Sequence, residues 1–326
     1  MSPSPRIASV HDESSSVYDC AVVGAGPAGL TAGLYLTRFH RNVAIVDGGQ
    51  SRAALIPRTH NYPGFPDGVA GTELLGLMRN HLARLDGSIL SDTVVSIERC
   101  ENAFTLQLAS KGSLRARFVI LCVGVQDIEP DLPGTAAAIK AGVLRQCPIC
   151  DGYEYTDRHI AILGHSQHSV NEAVFLRHFT DDIDFFSVAK EPLQPALREQ
   201  LAKAGIRLVE GAPIALEVGG NQAVAVLTDR GRRYQVTGVY SALGVKPANG
   251  LALALGAAVD ERGNVTVDVH CQTSVPHVYA AGDLVSGLNQ ISVSAGHAAI
   301  AATAVHNRLP PHRERQTPAL AAASSR

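Results

Sequence analysis

Two thiols flank a short turn in Arg145-Gln-Cys147-Pro-Ile-Cys150-Asp-Gly-Tyr-Glu154. Cysteines at this spacing can close a disulfide across one turn, and Pro148 restricts that turn while removing an N–H. Near a helix start or a cationic group, one of the thiols would have a depressed pKa and be the better nucleophile. Asp151 adjoins the pair and is positioned to move a proton during dithiol–disulfide exchange. Two other readings compete. A zinc site needs two more ligands, and the downstream His159, His165 and His168 fit no common zinc spacing, so no metal is expected. A purely structural turn with reduced thiols is the second, since free cysteine is commonly buried.

A dithiol needs an electron partner, and the elements that precede it offer one. Gly24-Ala-Gly26-Pro27-Ala28-Gly29 follows an apolar strand, Tyr18–Val23, and opens a helix running to about Phe39. In this context Gly24 permits a tight turn, Gly26 lets the backbone approach a pyrophosphate, and Gly29 allows close helix–strand packing. The helix N-terminus turns free N–H groups toward the phosphates. The next strand, Asn42–Val46, ends on Asp47, which can accept hydrogen bonds from a ribose diol. A second strand–turn–helix opening runs through His159–Leu163, Gly164 and a helix over about Ser166–Phe179, followed by a strand at Ile183–Val188. Late in the chain, Val278-Tyr-Ala-Ala-Gly282-Asp283 leads into an uncharged small-residue helix from Ser292 to about His306. Strands alternating with helices predict an α/β fold with parallel sheets. If the late segment completes the first unit, the second is inserted within the first. A redox dithiol beside a dinucleotide fold accounts for both features. The fingerprint alone does not separate FAD from NAD.

Composition narrows the class. The chain has 326 residues, 46% hydrophobic and 18% charged, with a formal net charge of -2. That length leads us to expect two domains, and the absence of a long basic run argues against a nucleic-acid partner. Met1–Ser16 is polar and Ser-rich with no apolar signal region. The uncharged stretch Cys20–Thr37 is long enough for a membrane helix, but its glycines, its proline and the fingerprint argue against one. Cys20, Cys100, Cys122 and Cys271 are scattered singly, unlike a secreted disulfide framework, and are expected to be small buried hydrophobes in a cytoplasmic protein.

Taken together, the order of motifs resembles the low-molecular-weight thioredoxin reductase family of flavoproteins over roughly residues 18–310. The resemblance rests on the first fingerprint, Gly48-Gly-Gln50, Asn61-Tyr-Pro-Gly64, Cys147-Pro-Ile-Cys-Asp-Gly152, Thr273–Asp283, and Gln290 with Ser294-Ala-Gly296. It implies two Rossmann-like, three-layer, parallel-sheet domains. FAD would bind a split domain, 17–126 plus 248–313; the inserted domain, 127–247, would carry the cysteines; 1–16 and 314–326 would be flexible tails. It also implies a homodimer. By this resemblance Cys150 would face the flavin and exchange electrons with it, Cys147 would attack the external disulfide, and Asp151 would be the acid/base. Gly24, Gly26, Pro27, Ala28, Asp47, Gln50, Asn61, Gly282, Asp283, Gln290 and Ile291 would contact FAD.

The departures from the family pattern bear on function. The second fingerprint reads Gly164-His-Ser166-Gln-His-Ser169, where only the first glycine remains. Side chains at 166 and 169 obstruct pyrophosphate approach and helix packing. After the second strand, Phe185-Phe-Ser-Val-Ala-Lys-Glu-Pro192 lacks arginines that could hold a 2′-phosphate. His165 and His168 read as solvated histidines at a helix start, with a new polar site as the alternative. The expectation is an FAD-dependent dithiol–disulfide oxidoreductase that does not use NADPH efficiently and acts on thioredoxin or a small disulfide. Ferredoxin or a dithiol would then be the donor. Three alternatives stand beside it: a conventional NADPH–thioredoxin reductase, an oxygen-dependent oxidase that closes disulfides in natural products (suggested by Cys-Pro-x-Cys), and a flavin-loaded redox sensor that does not turn over. Without nicotinamide, a single arrangement with the cysteines held near the flavin is expected.

Overall fold

The computed structural model describes residues 17–220 and 224–311; the expected tails, 1–16 and 314–326, lie outside them. The first sheet is built as the fingerprint requires. Tyr18–Val23 pairs in parallel with Val43–Asp47 on one side and Ser113–Leu121 on the other. Ile89–Ser91 and Val278–Ala280 extend the parallel set, so the late strand does join the first sheet. Val94–Cys100 and Ala103–Leu108 add an antiparallel meander to the same sheet. The central strands are buried on both faces, which is why Cys20–Val23 and Val119–Leu121 read as unbroken apolar runs. One face is covered by the first helix, Pro27–Arg38, and the last, Ile291–Arg308. Gly33, Ala298, Ala301 and Ala302 keep these helices slim where they pack.

The chain leaves this unit through Val125–Asp127 and returns through Val245–Pro247, and the two crossings pair antiparallel. Between them lies a five-stranded parallel sheet containing Leu144–Arg145, Ile160–Gly164, Ile183–Ser187, Arg207–Leu208 and Gly238–Ser241. Pro213–Val218, Val224–Thr228 and Arg233–Val236 form a separate antiparallel sheet packed on it. Both units therefore have the layered α/β architecture expected of Rossmann-like domains. Among the described residues no helix is long and apolar enough to cross a membrane; Cys20–Thr37 is divided between a strand and a helix.

One expectation fails. Cys20, Cys122 and Cys271 are buried, whereas Cys100 is exposed. It ends Val94–Cys100 at a hairpin in the meander, where alternation points it to solvent and Thr105 Oγ1 donates to its sulfur at 3.7 Å.

Candidate active site

The first fingerprint forms one end of a cavity of about 490 Å³. Gly24 has φ +96°, and a Cβ there would lie 2.5 Å from the Cys122 carbonyl oxygen; one at Gly29 would lie 1.8 Å from the Gly24 oxygen. Only glycine fits either position. The first helix begins at Pro27 without a side-chain cap, so its leading N–H groups are left to other acceptors. Asp47, nearly buried, accepts from the Ala25 N–H at 3.2 Å and from Arg79 at 2.9 Å. The last helix also starts without a side-chain cap, at Gln290. Before it, Gly282 (φ +80°) packs against Ala28, while Asp283 accepts from Ser294 at 3.1 Å and pairs with Arg52 at 3.2 Å.

The cysteines stand on the wall of the same cavity. Cys147 and Cys150 form a disulfide across the one-turn helix Pro148–Asp151. Gln290 Nε2 donates to Cys147 Sγ at 3.4 Å and to Cys150 Sγ at 3.5 Å. Asn61 Nδ2 donates to Gln290 Oε1 at 2.9 Å and to the Ile149 carbonyl at 3.3 Å. His60 pairs with Glu154 at 3.0 Å beside these contacts. Every candidate residue from the sequence, namely Gly24, Gly26, Pro27, Ala28, Asp47, Gln50, Asn61, Cys147, Cys150, Asp151, Gly282, Asp283, Gln290 and Ile291, lines this one cavity.

Asp151 is buried behind the pair. Burial pushes its carboxyl up to about 6, against the opposing pull of Arg145 and the Tyr240 hydroxyl. Tyr240 donates to Oδ1 at 2.7 Å, and Arg145 lies 3.4 Å from Oδ2. Arg145 is itself steadied by Tyr155, whose hydroxyl accepts from its Nε at 3.2 Å. Sequence reasoning missed Arg145 and Tyr240. Arg145 is near the cysteines in the chain and was within reach, but Tyr240 arrives from a distant strand and leaves no local signal. It also missed Arg52, which grips Asp127 through two nitrogens at 2.6 and 2.8 Å.

The second opening has the opposite character. Ser166 caps Gln167–Leu176 by accepting from the Ser169 N–H, and Ser169 Oγ accepts in return from the Ser166 N–H at 2.7 Å. The helix thus satisfies its own leading donors. Ser169 is fully buried, and a Cβ at Gly164 would come within 2.2 Å of its Cβ, so serine fills the space of the missing glycine. His165 Nδ1 lies 2.8 Å from Ser187 Oγ, joining the ends of the two strands, while His168 pairs with Glu172 at 3.2 Å. Lys190 and Glu191 are exposed.

Two α/β units, a nucleotide cradle and a redox disulfide on its wall define an FAD disulfide oxidoreductase. Residues 18–299 match the pyridine nucleotide-disulphide oxidoreductase family, and the chain belongs to that family, on its thioredoxin reductase-like side. It is 30% identical over 303 residues to the thioredoxin reductase of Mycolicibacterium smegmatis, covering 89% of this chain and 96% of that protein. The crystal structure of HlmI superposes with a TM-score of 0.82 at 29% identity, covering 93% of this chain and 94% of that one. Thioredoxin reductase from Streptococcus pyogenes superposes with a TM-score of 0.80 at 25% identity, covering 89% and 97%. The family implies a bound flavin, and the residues present fit one: glycines where no Cβ can stand, two uncapped helix starts and a buried acceptor at Asp47 face one cavity.

Proposed function

We propose that this protein catalyses dithiol–disulfide exchange between FAD and an external thiol couple through Cys147 and Cys150, without efficient use of NADPH. We also take 17–126 plus 248–313 as the FAD-binding domain and 127–247 as the domain that carries the cysteines. The observation that carries the reading is a contrast between helix starts. The helices Pro27–Arg38 and Ile291–Arg308, which open onto the cavity, have no side-chain cap on their first N–H groups, whereas the helix at Ser166 closes its own with a reciprocal serine pair.

Gly24, Gly26, Pro27 and Ala28 would hold the pyrophosphate, Asp47 a ribose, and Gln50, Asn61, Gly282, Asp283, Gln290 and Ile291 the remainder of FAD. FAD supplies the electron-pair acceptor or donor beside the disulfide. Cys147 takes the bond to the external sulfur, and Cys150 is the sulfur on the flavin side. Asp151 accepts or returns the proton of the exchanging thiol; a carboxyl held at about 6 is suited to doing both near neutral pH. The external couple is a thioredoxin-like protein or a small dithiol. Relatedness to thioredoxin reductases favours the former, and the half-buried position of Cys147 favours the latter when the domains stay as they are.

The test is turnover of the FAD-loaded protein with dithiothreitol as donor and oxygen as acceptor and, separately, with reduced ferredoxin as donor and thioredoxin disulfide as acceptor. Wild type turns over with one of these couples, whereas Cys147→Ser and Cys150→Ser lose activity and keep FAD. Full activity in both variants would remove the dithiol from the reaction.

A further inference from the structure

The side chains expected to touch only FAD make a second set of contacts. Thr59 Oγ1 donates to Asn61 Oδ1 at 2.8 Å, so the Asn61 amide nitrogen is turned away from Thr59. That nitrogen donates to Gln290 Oε1, which leaves Gln290 Nε2 facing the two sulfurs. Thr59 is itself fixed by reciprocal backbone hydrogen bonds with Val69, both at 2.9 Å. The amide orientation at the disulfide is therefore set by a chain of donors rooted in backbone.

We infer that Thr59, Asn61 and Gln290 form a positioning relay for the disulfide, which aims an N–H at the sulfur that carries negative charge once the bond opens. The inference rests on the proposed exchange chemistry at Cys147 and Cys150. An external thiolate attacks Cys147 Sγ, the bond to Cys150 breaks, and its electron pair leaves on Cys150 as thiolate. A second thiolate of the same dithiol then attacks the external sulfur and releases Cys147 as thiolate. The substrate ends as a disulfide, and the enzyme has gained two electrons. At each step one sulfur within reach of Gln290 Nε2 becomes anionic, and a hydrogen bond to a charged acceptor is stronger than one to a neutral acceptor. The ionisable side chains around the pair include Asp151 and Arg145 behind it, Glu154 and His60 beside it, and Arg52 and Asp283 along the cavity. Gln290 is an uncharged donor that adds to these without altering net charge.

The relay is tested on the reduced, FAD-loaded protein in a Cys100→Ser background, which removes the exposed thiol outside the pair. The rate of iodoacetamide alkylation is followed against pH with mass assignment to Cys147 or Cys150. Gln290→Met keeps length and removes the donor. Asn61→Asp keeps shape but turns the Gln290 nitrogen toward a new acceptor and away from the sulfurs. Both are expected to raise the midpoint of the alkylation profile by about one pH unit, an approximately tenfold loss of thiolate at neutral pH. Thr59→Val is expected to move it the same way by less. Profiles that stay on the wild-type curve in Gln290→Met and Asn61→Asp, with FAD retained, would overturn the relay. If Gln290→Met loses FAD, Asn61→Asp and Thr59→Val decide. The profile reads thiol acidity whether or not the protein turns over, so failure of the exchange reading shows separately, in the cysteine-to-serine activities.

Discussion

The Tyr240 hydroxyl donates to Asp151 Oδ1 at 2.7 Å, with both residues buried. A neutral donor on a buried carboxylate stabilises the anion, while burial opposes it; burial is the larger influence, and the carboxyl rests at about 6. With a dithiol donor, wild-type turnover is expected to show an ionisation near pH 6, the limb on which Asp151 becomes the base. Tyr240→Phe removes the donor and should move that limb upward by about one pH unit. Asp151→Asn should abolish it and cost about 100-fold in rate, within the range of general-base contributions. A pH–rate profile of the three proteins checks all of this.

The same carboxyl has a consequence for stability. Its folded-state pKa is raised from 3.8 to about 6, so between these values the folded protein binds more protons than the unfolded one. The stability that Asp151 contributes is thus greatest below pH 4 and declines as pH rises through 6, by at most about 3 kcal/mol. Asp151→Asn should melt higher than wild type at pH 8 and lose that advantage at pH 4. Differential scanning calorimetry at the two pH values checks the sign.

Gly24→Ala is expected to fail in a different way. The Cβ would meet the Cys122 backbone oxygen at 2.5 Å, at a φ of +96° that alanine rarely adopts. The strand-to-helix turn must move, and the cradle with it, so the purified variant should carry less than a tenth of the wild-type flavin by absorbance. Equal flavin content would contradict the assignment of this turn to FAD.

Ser166→Ala removes half of the reciprocal cap and should cost about 1 kcal/mol, roughly 2–4 °C in melting temperature. Replacing both Ser166 and Ser169 by glycine reopens the helix start and the space beside Gly164. That double variant should show measurable flavin bleaching by NADPH, still weak because Val188–Pro192 offers no arginine. No change from wild type would mean that the serines are not the obstruction.

Much of this was legible in the sequence because the informative residues are local. Gly24–Gly29 after an apolar strand and Cys147–Cys150 on one turn carry their meaning within a few positions, and element ends shifted by only one to three residues, as at Gln167–Leu176. The insertion of one unit in the other followed from the order of motifs, and Val278–Ala280 pairs with Ser113–Leu121 accordingly. What the sequence hid depends on side chains meeting across the fold. Tyr240 reaches Asp151 across a separation of 89 residues, and Gln290 reaches Cys147 across 143. For Gln290 and Asn61 the family resemblance implies contact with FAD, but it does not say what else they touch. Cys100 was misjudged because composition does not say on which side of a meander strand a residue falls.

Anaerobic titration of the purified protein with NADPH, and then with dithiothreitol, tests the central claim most directly. Stoichiometric NADPH should leave the flavin absorbance unchanged, and the dithiol should bleach it in wild type but not in Cys147→Ser. Rapid bleaching at near-stoichiometric NADPH would contradict the claim and make the protein a conventional pyridine nucleotide-dependent reductase.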